Sequence, residues 1–328
     1  MKDNPFWQVL ADKVLAGFSI SRSDAFQIVS ASDSETLSIV EQAARIREHF
    51  WQNRVRLYML LNAKSGLCPE DCGYCSQSRD SKASISKYPF LPEEIVFKAA
   101  EKAEKLQVHT FCLVASGRSP TEKELENVGG IIKEIKSRQR FKVCACLGLL
   151  KTGQAEFLKS SGVDTYNHNL NTSRRFYSQI CGTHTFEDRI RTVNQVKEAG
   201  IGTCSGGIVG MGEDLQDAVD LAYELKDLRV DSIPVNFLHP IEGTPLSKTR
   251  ELSPLKALRY LSLFRFVHPK ADLRIAGGRE LHLRSLQPLG LRVANSIFIG
   301  DYLTTKGELP EADLQMIQDL GFVIEAAF

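Results

Sequence analysis

The chain has no surplus charge of either sign: 41 lysines and arginines stand against 40 aspartates and glutamates, a formal net of +1 over 328 residues. That balance removes the electrostatic argument for a nucleic-acid or membrane-surface partner, because both need a clustered excess of basic side chains. No stretch approaches the ~20 apolar residues of a spanning helix. The opening MKDNPFWQVLADKVL carries acids and no long apolar run, so no secretory signal is expected. Eight cysteines in a chain of this size are too sparse for a disulfide scaffold. The expectation is a cytoplasmic, reducing location that leaves thiols free for metal. Also missing are a glycine-rich nucleotide fingerprint after the first expected strand, a Walker motif, internal repeats, low-complexity segments and a linker.

What is present is an ordinary globular composition, 43% apolar and 25% charged, with enough chain for a large core. The most informative stretch is Leu67–Ser78, LCPEDCGYCSQS. It places Cys68, Cys72 and Cys75 at Cys-x3-Cys-x2-Cys spacing, and thiolates so spaced hold iron–sulfur clusters or zinc. Three thiolates leave one iron of a four-iron cubane without a protein ligand, free to bind a substrate or cofactor. Pro69 and Gly73 fit a tight loop, and Glu70 and Asp71 are expected to be solvated. The alternative is a zinc loop with a fourth ligand elsewhere. Structural zinc sites usually repeat a cysteine pair, and no second pair follows at that spacing, Cys144-x-Cys146 being too close. A cluster is therefore favoured.

Residues 5–50 read as helices, with Phe6, Leu10, Val14 and Leu15 and then Ile39, Ala43 and Ile46 at helical spacing. Ser32 and Glu35 fit a capping box before the second run. From residue 54 the pattern becomes β-branched runs alternating with amphipathic stretches. Eight strands are expected: 54–61, 110–116, 142–147, 165–169, 202–209, 232–237, 273–276 and 296–300. Helices are expected between them at 92–106, 122–136, 153–160, 186–198, 215–228 and 254–266. The alternation predicts an α/β fold, a (β/α)8 TIM-type barrel with its active site at the strands' C-terminal ends; an open doubly wound sheet is the alternative. The expected layout is an N-terminal helical extension (1–50), the barrel (51–310) and a C-terminal helix and tail (311–328), one structural domain overall.

The remaining cysteines fall on this map. Cys112 lies in the second strand, Cys144 and Cys146 in the third, Cys204 in the fifth, and Arg274 in the seventh. Alternate residues of a barrel strand face inward, so Cys144 and Cys146 share a face. A lone buried cysteine is usually a small hydrophobe. Three strands each offering one make a second metal site credible, although arginine, with a pKa above ~12, is a poor ligand.

The three-cysteine motif, with Tyr74 before its last cysteine, resembles the radical S-adenosylmethionine (SAM) enzymes. In those enzymes the open iron of a [4Fe–4S] cluster chelates SAM, and the cluster's electron cleaves SAM to a 5′-deoxyadenosyl radical. The segments TFCLVASG (110–117), VCACLG (143–148), YNHNLN (166–171), CSGGIVGMGE (204–213), SIPVNFL (232–238), GTPL (243–246), LRIAGGRE (273–280) and ANSIFIGDYLTT (294–305) together resemble the biotin synthases. The resemblance implies sulfur insertion converting dethiobiotin to biotin. It implies that Cys68, Cys72 and Cys75 hold the SAM-binding [4Fe–4S] cluster, and that Cys112, Cys144, Cys204 and Arg274 hold a [2Fe–2S] cluster that donates sulfide. It assigns Tyr74, Ala115, Asn169, Asn171 and Arg189 to SAM, and Asn167, Asn236 and nearby Lys64 to dethiobiotin. Cys146 and Cys181 are left as extra, structural thiols, and His168 as a packed strand residue rather than a proton relay. Asn171, where some members have aspartate, and Tyr58, where some have a small hydroxyl residue beside the ligating arginine, depart from the pattern. A homodimer and a flavodoxin or ferredoxin electron donor are expected by the same analogy. A different radical SAM enzyme would share only the first cysteine set. A non-catalytic iron–sulfur or zinc module would need four protein ligands there.

Overall fold

The computed structural model describes residues 5–249 and 252–327; residues 1–4 of the expected extension and Phe328 of the expected tail lie outside them. Strands β1 (Arg54–Lys64), β2 (Thr110–Ala115), β3 (Lys142–Cys146), β4 (Thr165–Asn167), β5 (Gly202–Cys204), β6 (Gly207–Val209), β7 (Ser232–Phe237), β8 (Asp272–Ile275) and β9 (Ser296–Phe298) are all parallel. β5 and β6 share one position beside β7, and β9 returns to pair with β1. That pairing closes an eight-position barrel and excludes the open sheet.

Parallel neighbours need long crossovers, and helices supply them. In chain order the helices are α1 (Pro5–Leu15), α2 (Arg22–Ser30), α3 (Thr36–Trp51), α4 (Glu93–Lys105), α5 (Glu122–Arg138), α6 (Gln154–Ser160), α7 (Tyr177–Ile180), α8 (Phe186–Glu198), α9 (Leu215–Asp227), α10 (Pro254–Val267), α11 (Arg279–Leu283), α12 (Gln287–Val293) and α13 (Pro310–Asp319). One local device starts several of them. Thr121 with Glu124, Thr185 with Asp188 and Asp214 with Asp217 form reciprocal capping boxes that satisfy the first free N–H groups of α5, α8 and α9. At Ser32 the Glu35 carboxylate accepts the Ser32 N–H at 3.2 Å, and a short 3-10 turn precedes α3.

Strand alternation sorts the side chains into two populations. Phe111, Leu113, Val143 and Ala145 join the core shared with the helices, whereas Cys112 and Cys144 pack with Tyr58 inside the barrel. The N-terminal helices lie against α9, α10 and α12. The buried Arg47 on α3 ties them to the strands' starting ends through the carbonyls of Arg54 (2.7 Å) and Ala294 (3.3 Å).

Two departures from the sequence reading concern the strands. The run 202–209 is two strands, not one. The Gly206 N–H goes to the Asn169 side chain at 3.0 Å and its carbonyl takes the Asn171 N–H at 3.1 Å, so it leaves the β5–β7 ladder. Only glycine fits there, since a Cβ on Gly206 would lie 2.0 Å from the Pro234 carbonyl oxygen. The tail is more than a helix and a fragment: β10 (Val323–Ile324) pairs with the start of β1, and Glu325 receives two Arg56 hydrogen bonds of 3.1 Å.

Candidate active site

A cavity of about 390 Å³ opens where the strands end and runs down into the barrel. Cys68, Cys72 and Cys75 line its rim. Cys112, Cys144, Cys204 and Arg274 line its depth, with Cys146, Asn167, Asn169, Asn171, Arg189 and Asn236 also on its wall.

The rim cysteines sit in a loop tethered at several points. The chain turns sharply at Gly66 and Leu67, both with positive φ (68° and 57°), and the Gly66 N–H is returned to the Gln77 side chain at 3.0 Å. The Gly73 N–H donates to Ile180 at 2.8 Å and its carbonyl accepts from Leu246 at 3.2 Å. Glu70 and Asp71 are not solvated. Glu70 is buried and holds His184, Thr183 and Arg118. Asp71 accepts the backbone N–H groups of Gly182 (2.9 Å) and Thr183 (3.1 Å). The two acids therefore anchor the cysteine loop to the turn between α7 and α8. Burial pushes the Cys75 thiol up to about 11 and the Cys68 thiol upward. A hydrogen bond with Cys181, and then burial, push Cys72 up. These thiols stay protonated near neutral pH unless a metal's charge stabilises the thiolates.

In the barrel the interior set is fixed by register. Cys112 lies beside Cys144 across β2–β3, and Asn167 beside Cys204 across β4–β5. Asn167 donates to the Cys204 sulfur at 3.2 Å, and Arg274 Nη1 lies 3.7 Å from the same sulfur. Arg274 is fully buried. Nη2 donates to Ser232 at 2.7 Å, its guanidinium lies 3.2 Å from the Tyr58 ring centroid, and Nε has no partner among the described residues. Tyr58 in turn donates to the buried Asp272 at 2.7 Å. The place where some biotin synthases have a small hydroxyl residue is thus filled by a ring that carries the arginine. Hydrogen bonding to Cys112 and to Cys144 respectively, together with burial, pushes the Cys144 and Cys204 thiols well up.

Between the two sets lie the polar groups. Arg189, buried, donates to the Asn169 carbonyl at 2.8 Å and touches Tyr177 and His184, but has no carboxylate partner among the described residues. Asn171 Nδ2 donates to the Tyr74 hydroxyl at 2.6 Å. Asn236 is held by the Gly277 N–H and the Gly207 carbonyl, both at 3.1 Å. Ala115 ends β2 on the wall, and His168 is packed, its imidazole pushed well down by burial. Lys64 is the one expected site residue that does not reach the cavity. A bulge between Asn62 and Lys64 shifts the β1–β2 register, and bulges re-aim side chains. The Lys64 ammonium is 2.7 Å from Glu124 on α5. Not anticipated was the segment Tyr302–Thr305, which lines the cavity and is tied to the rim by Asn62–Leu303 (2.8 Å) and Ser76–Thr304 (2.7 Å) hydrogen bonds. Its only signal was membership in the ANSIFIGDYLTT segment.

Known proteins resemble this chain along nearly its whole length. The Radical SAM superfamily model matches residues 64–225, and the Biotin and Thiamin Synthesis associated domain matches residues 234–323. The biotin synthase of Geobacillus kaustophilus (strain HTA426) is 54% identical over 98% of this chain and 96% of its own. That of Bacillus subtilis (strain 168) is 52% identical with the same coverage of both. This chain belongs to the biotin synthase family. Its activity is that of the family, radical SAM sulfur insertion in biotin synthesis, and radical SAM membership implies a [4Fe–4S] cluster and SAM. A solved methylornithine synthase, 19% identical, superposes with a TM-score of 0.85 over 96% of this chain and 97% of its own, and shares the fold. Among the described residues no helix is long and apolar enough to cross a membrane.

Proposed function

We propose that the chain converts dethiobiotin to biotin with Cys68, Cys72 and Cys75 holding a [4Fe–4S] cluster and Cys112, Cys144, Cys204 and Arg274 holding a [2Fe–2S] cluster. The observation that carries this reading is the convergence of both cysteine sets on one cavity, with amide side chains between them. The donor sets fit. Each set offers three thiols to the cavity, and the interior adds a buried guanidinium with an unpartnered Nε. When bound, the first cluster with SAM supplies 5′-deoxyadenosyl radicals and the second supplies the sulfur that closes the thiophane ring.

The chain's own residues bind, orient and exclude water. Arg189, buried with no acid partner among the described residues, suits the SAM carboxylate through paired donors. Asn169, Asn171, Tyr74 and the Ala115 backbone complete that side. Asn167 and Asn236 each offer a donor and an acceptor, as a cyclic urea requires. Both are braced by neighbours, Asn167 against Asn169 at 3.2 Å and Asn236 against β6 and Gly277. Leu60, Val114 and Phe298 line the wall between the sets and keep it apolar. Confinement of this kind brings the reacting atoms together and shields a reactive carbon from solvent. Arg274 and Arg189 offset the thiolate charge that cluster binding brings. Dethiobiotin as substrate, a flavodoxin- or ferredoxin-type reductant and a homodimer complete the reading. Exposed Val9, Phe18, Phe26 and Leu37 on the N-terminal helical segment offer apolar surface for pairing.

The test is an anaerobic turnover of protein reconstituted with iron and sulfide, given SAM, dethiobiotin and a reductant. Biotin formed together with 5′-deoxyadenosine is expected. 5′-Deoxyadenosine without biotin moves the substrate elsewhere, and neither product from iron-loaded protein overturns the reading.

A further inference from the structure

Cys181 and His184 take no part in the reaction described above, yet both sit against a rim cysteine. Cys181 Sγ is 3.8 Å from Cys72 Sγ, and 3.2 Å and 3.8 Å from His184 Nδ1 and Nε2. All three side chains are buried, and their ligand atoms lie within 4.8 Å of one another. Metal–sulfur bonds of ~2.3 Å and metal–nitrogen bonds of ~2.0–2.1 Å around a tetrahedral ion give ligand–ligand edges of roughly 3.5–3.8 Å. The Cys72–Cys181 and Cys181–Nε2 separations, both 3.8 Å, match such edges.

His184 supplies an independent feature. Its Nδ1 is hydrogen-bonded to the buried Glu70 carboxylate. Metal-bound histidines characteristically donate their other ring N–H to a carboxylate, which fixes tautomer and ring orientation. With Nδ1–H facing Glu70, Nε2 carries the lone pair. In this structure Nε2 lies 2.9 Å from Arg189 Nη2. Arg189 retains Tyr177 and the Asn169 carbonyl if it yields that contact to an ion. Asp71 Oδ1, 3.2 Å from Cys181 Sγ, holds the turn that carries Cys181 through the Gly182 and Thr183 N–H groups. Two thiolates balance a divalent charge. The acids Glu70 and Asp71 beside them counter Arg189 and Arg118.

We infer that Cys72, Cys181 and His184 form a mononuclear site for a borderline divalent cation, Zn2+ or Fe2+, in the cluster-free protein. The consequence rests on reading Cys72 as a cluster ligand: the ion and the [4Fe–4S] cluster need the same sulfur and exclude each other. Zinc held here blocks cluster assembly until it is removed.

The test uses the full chain, stripped of iron and kept anaerobic, titrated with Co2+ as the probe. One equivalent with thiolate charge-transfer and tetrahedral d–d absorption is expected in the wild type and in Cys68→Ala/Cys75→Ala. Cys181→Ser and His184→Gln should weaken binding at least tenfold. Glu70→Gln should weaken it roughly 10- to 100-fold, the range for removing a ligand's carboxylate partner. Far-ultraviolet circular dichroism checks that each variant is folded. Absence of binding, or binding lost in Cys68→Ala/Cys75→Ala and unchanged in Cys181→Ser, overturns the site. A second arm preloads zinc before iron and sulfide are added. Cluster formation should be suppressed in the wild type and restored in Cys181→Ser; equal suppression in both overturns the exclusion. If Cys72→Ala still builds its full cluster, the ligand assignment under Proposed function fails, while the cobalt result stands by itself.

Discussion

The two cysteine sets face one cavity but are held by different physics. The rim set comes from eight consecutive residues of one loop, closed by Gln77, and its position depends on tethers to distant segments: the Ile180 carbonyl, Leu246 and the turn gripped by Glu70 and Asp71. The interior set comes from β2, β3, β5 and β8, and its position depends on strand register. A one-residue slip in any of those strands would turn its side chain out of the barrel. The loop is fixed by contacts made outside it, whereas the interior arrangement is set by the barrel itself. Under the proposed function, that division suits a rim group that accepts a small-molecule cofactor and an interior group that meets a substrate carbon in one geometry.

The largest effects should separate the sets by product. Cys72→Ala should abolish both 5′-deoxyadenosine and biotin, because the rim set precedes all later chemistry. Cys112→Ala should abolish biotin while 5′-deoxyadenosine stays within about tenfold of the wild type, since unequal losses of two products mark different steps. Mass spectrometry of both products checks the pair. Intact biotin yield from the Cys112 variant would falsify the interior assignment.

The same contrast explains what could be read from the sequence. The rim motif is local, so spacing alone announced a metal loop. The barrel was legible because strand–helix alternation persists across most of the chain. The interior set is not local. Alternation put Cys144 and Cys146 on one face, but choosing between them, and adding Arg274, needed the family resemblance. Glu70 and Asp71 looked solvated because their partners, at residues 181–184, lie over 100 positions away. Lys64 was misdirected by a bulge that strand periodicity does not reveal. β10 was missed because two residues carry no periodic signal.

Acid should lower stability in two windows set by different groups. Burial holds His109, directly before β2, down at about 4, against roughly 6.5 when unfolded. The unfolded chain therefore binds more protons between those values. His109's contribution is present above pH ~6.5 and declines as pH falls to about 4. The loss should reach about 3 kcal/mol. His268, held at about 3 by burial, adds to the same decline. At the loop, burial opposes the Asp71 charge, but hydrogen bonds from the Gly182 N–H, Cys181 and Thr183 outweigh it and hold the carboxyl at about 2. Its contribution persists down to the ordinary carboxylate value of 3.8 and is lost as pH falls through about 2. Thermal melts from pH 8 to 2 should show His109→Gln flattening the upper window and Asp71→Asn the lower. A window left unchanged in its own variant would remove that group from the decline.

The smallest effect tests what positions Arg274. The Tyr58 ring lies against the guanidinium, while the Tyr58 hydroxyl reaches past it to Asp272. Tyr58→Phe keeps the ring and removes only the 2.7 Å hydrogen bond. Asp272 retains Ser296, Asn295 and Arg56 as partners, so the loss should be about 1 kcal/mol. In a chain this long that is a melting shift of roughly 2 °C. Iron per chain should be unchanged if the stacked ring carries Arg274. Tyr58→Leu, which removes the ring, should lower the iron retained by the interior set. If Tyr58→Phe sheds that iron as readily as Tyr58→Leu, the hydroxyl–Asp272 link is what places the guanidinium, and the interior site is tuned from the floor of the barrel rather than by packing on its wall.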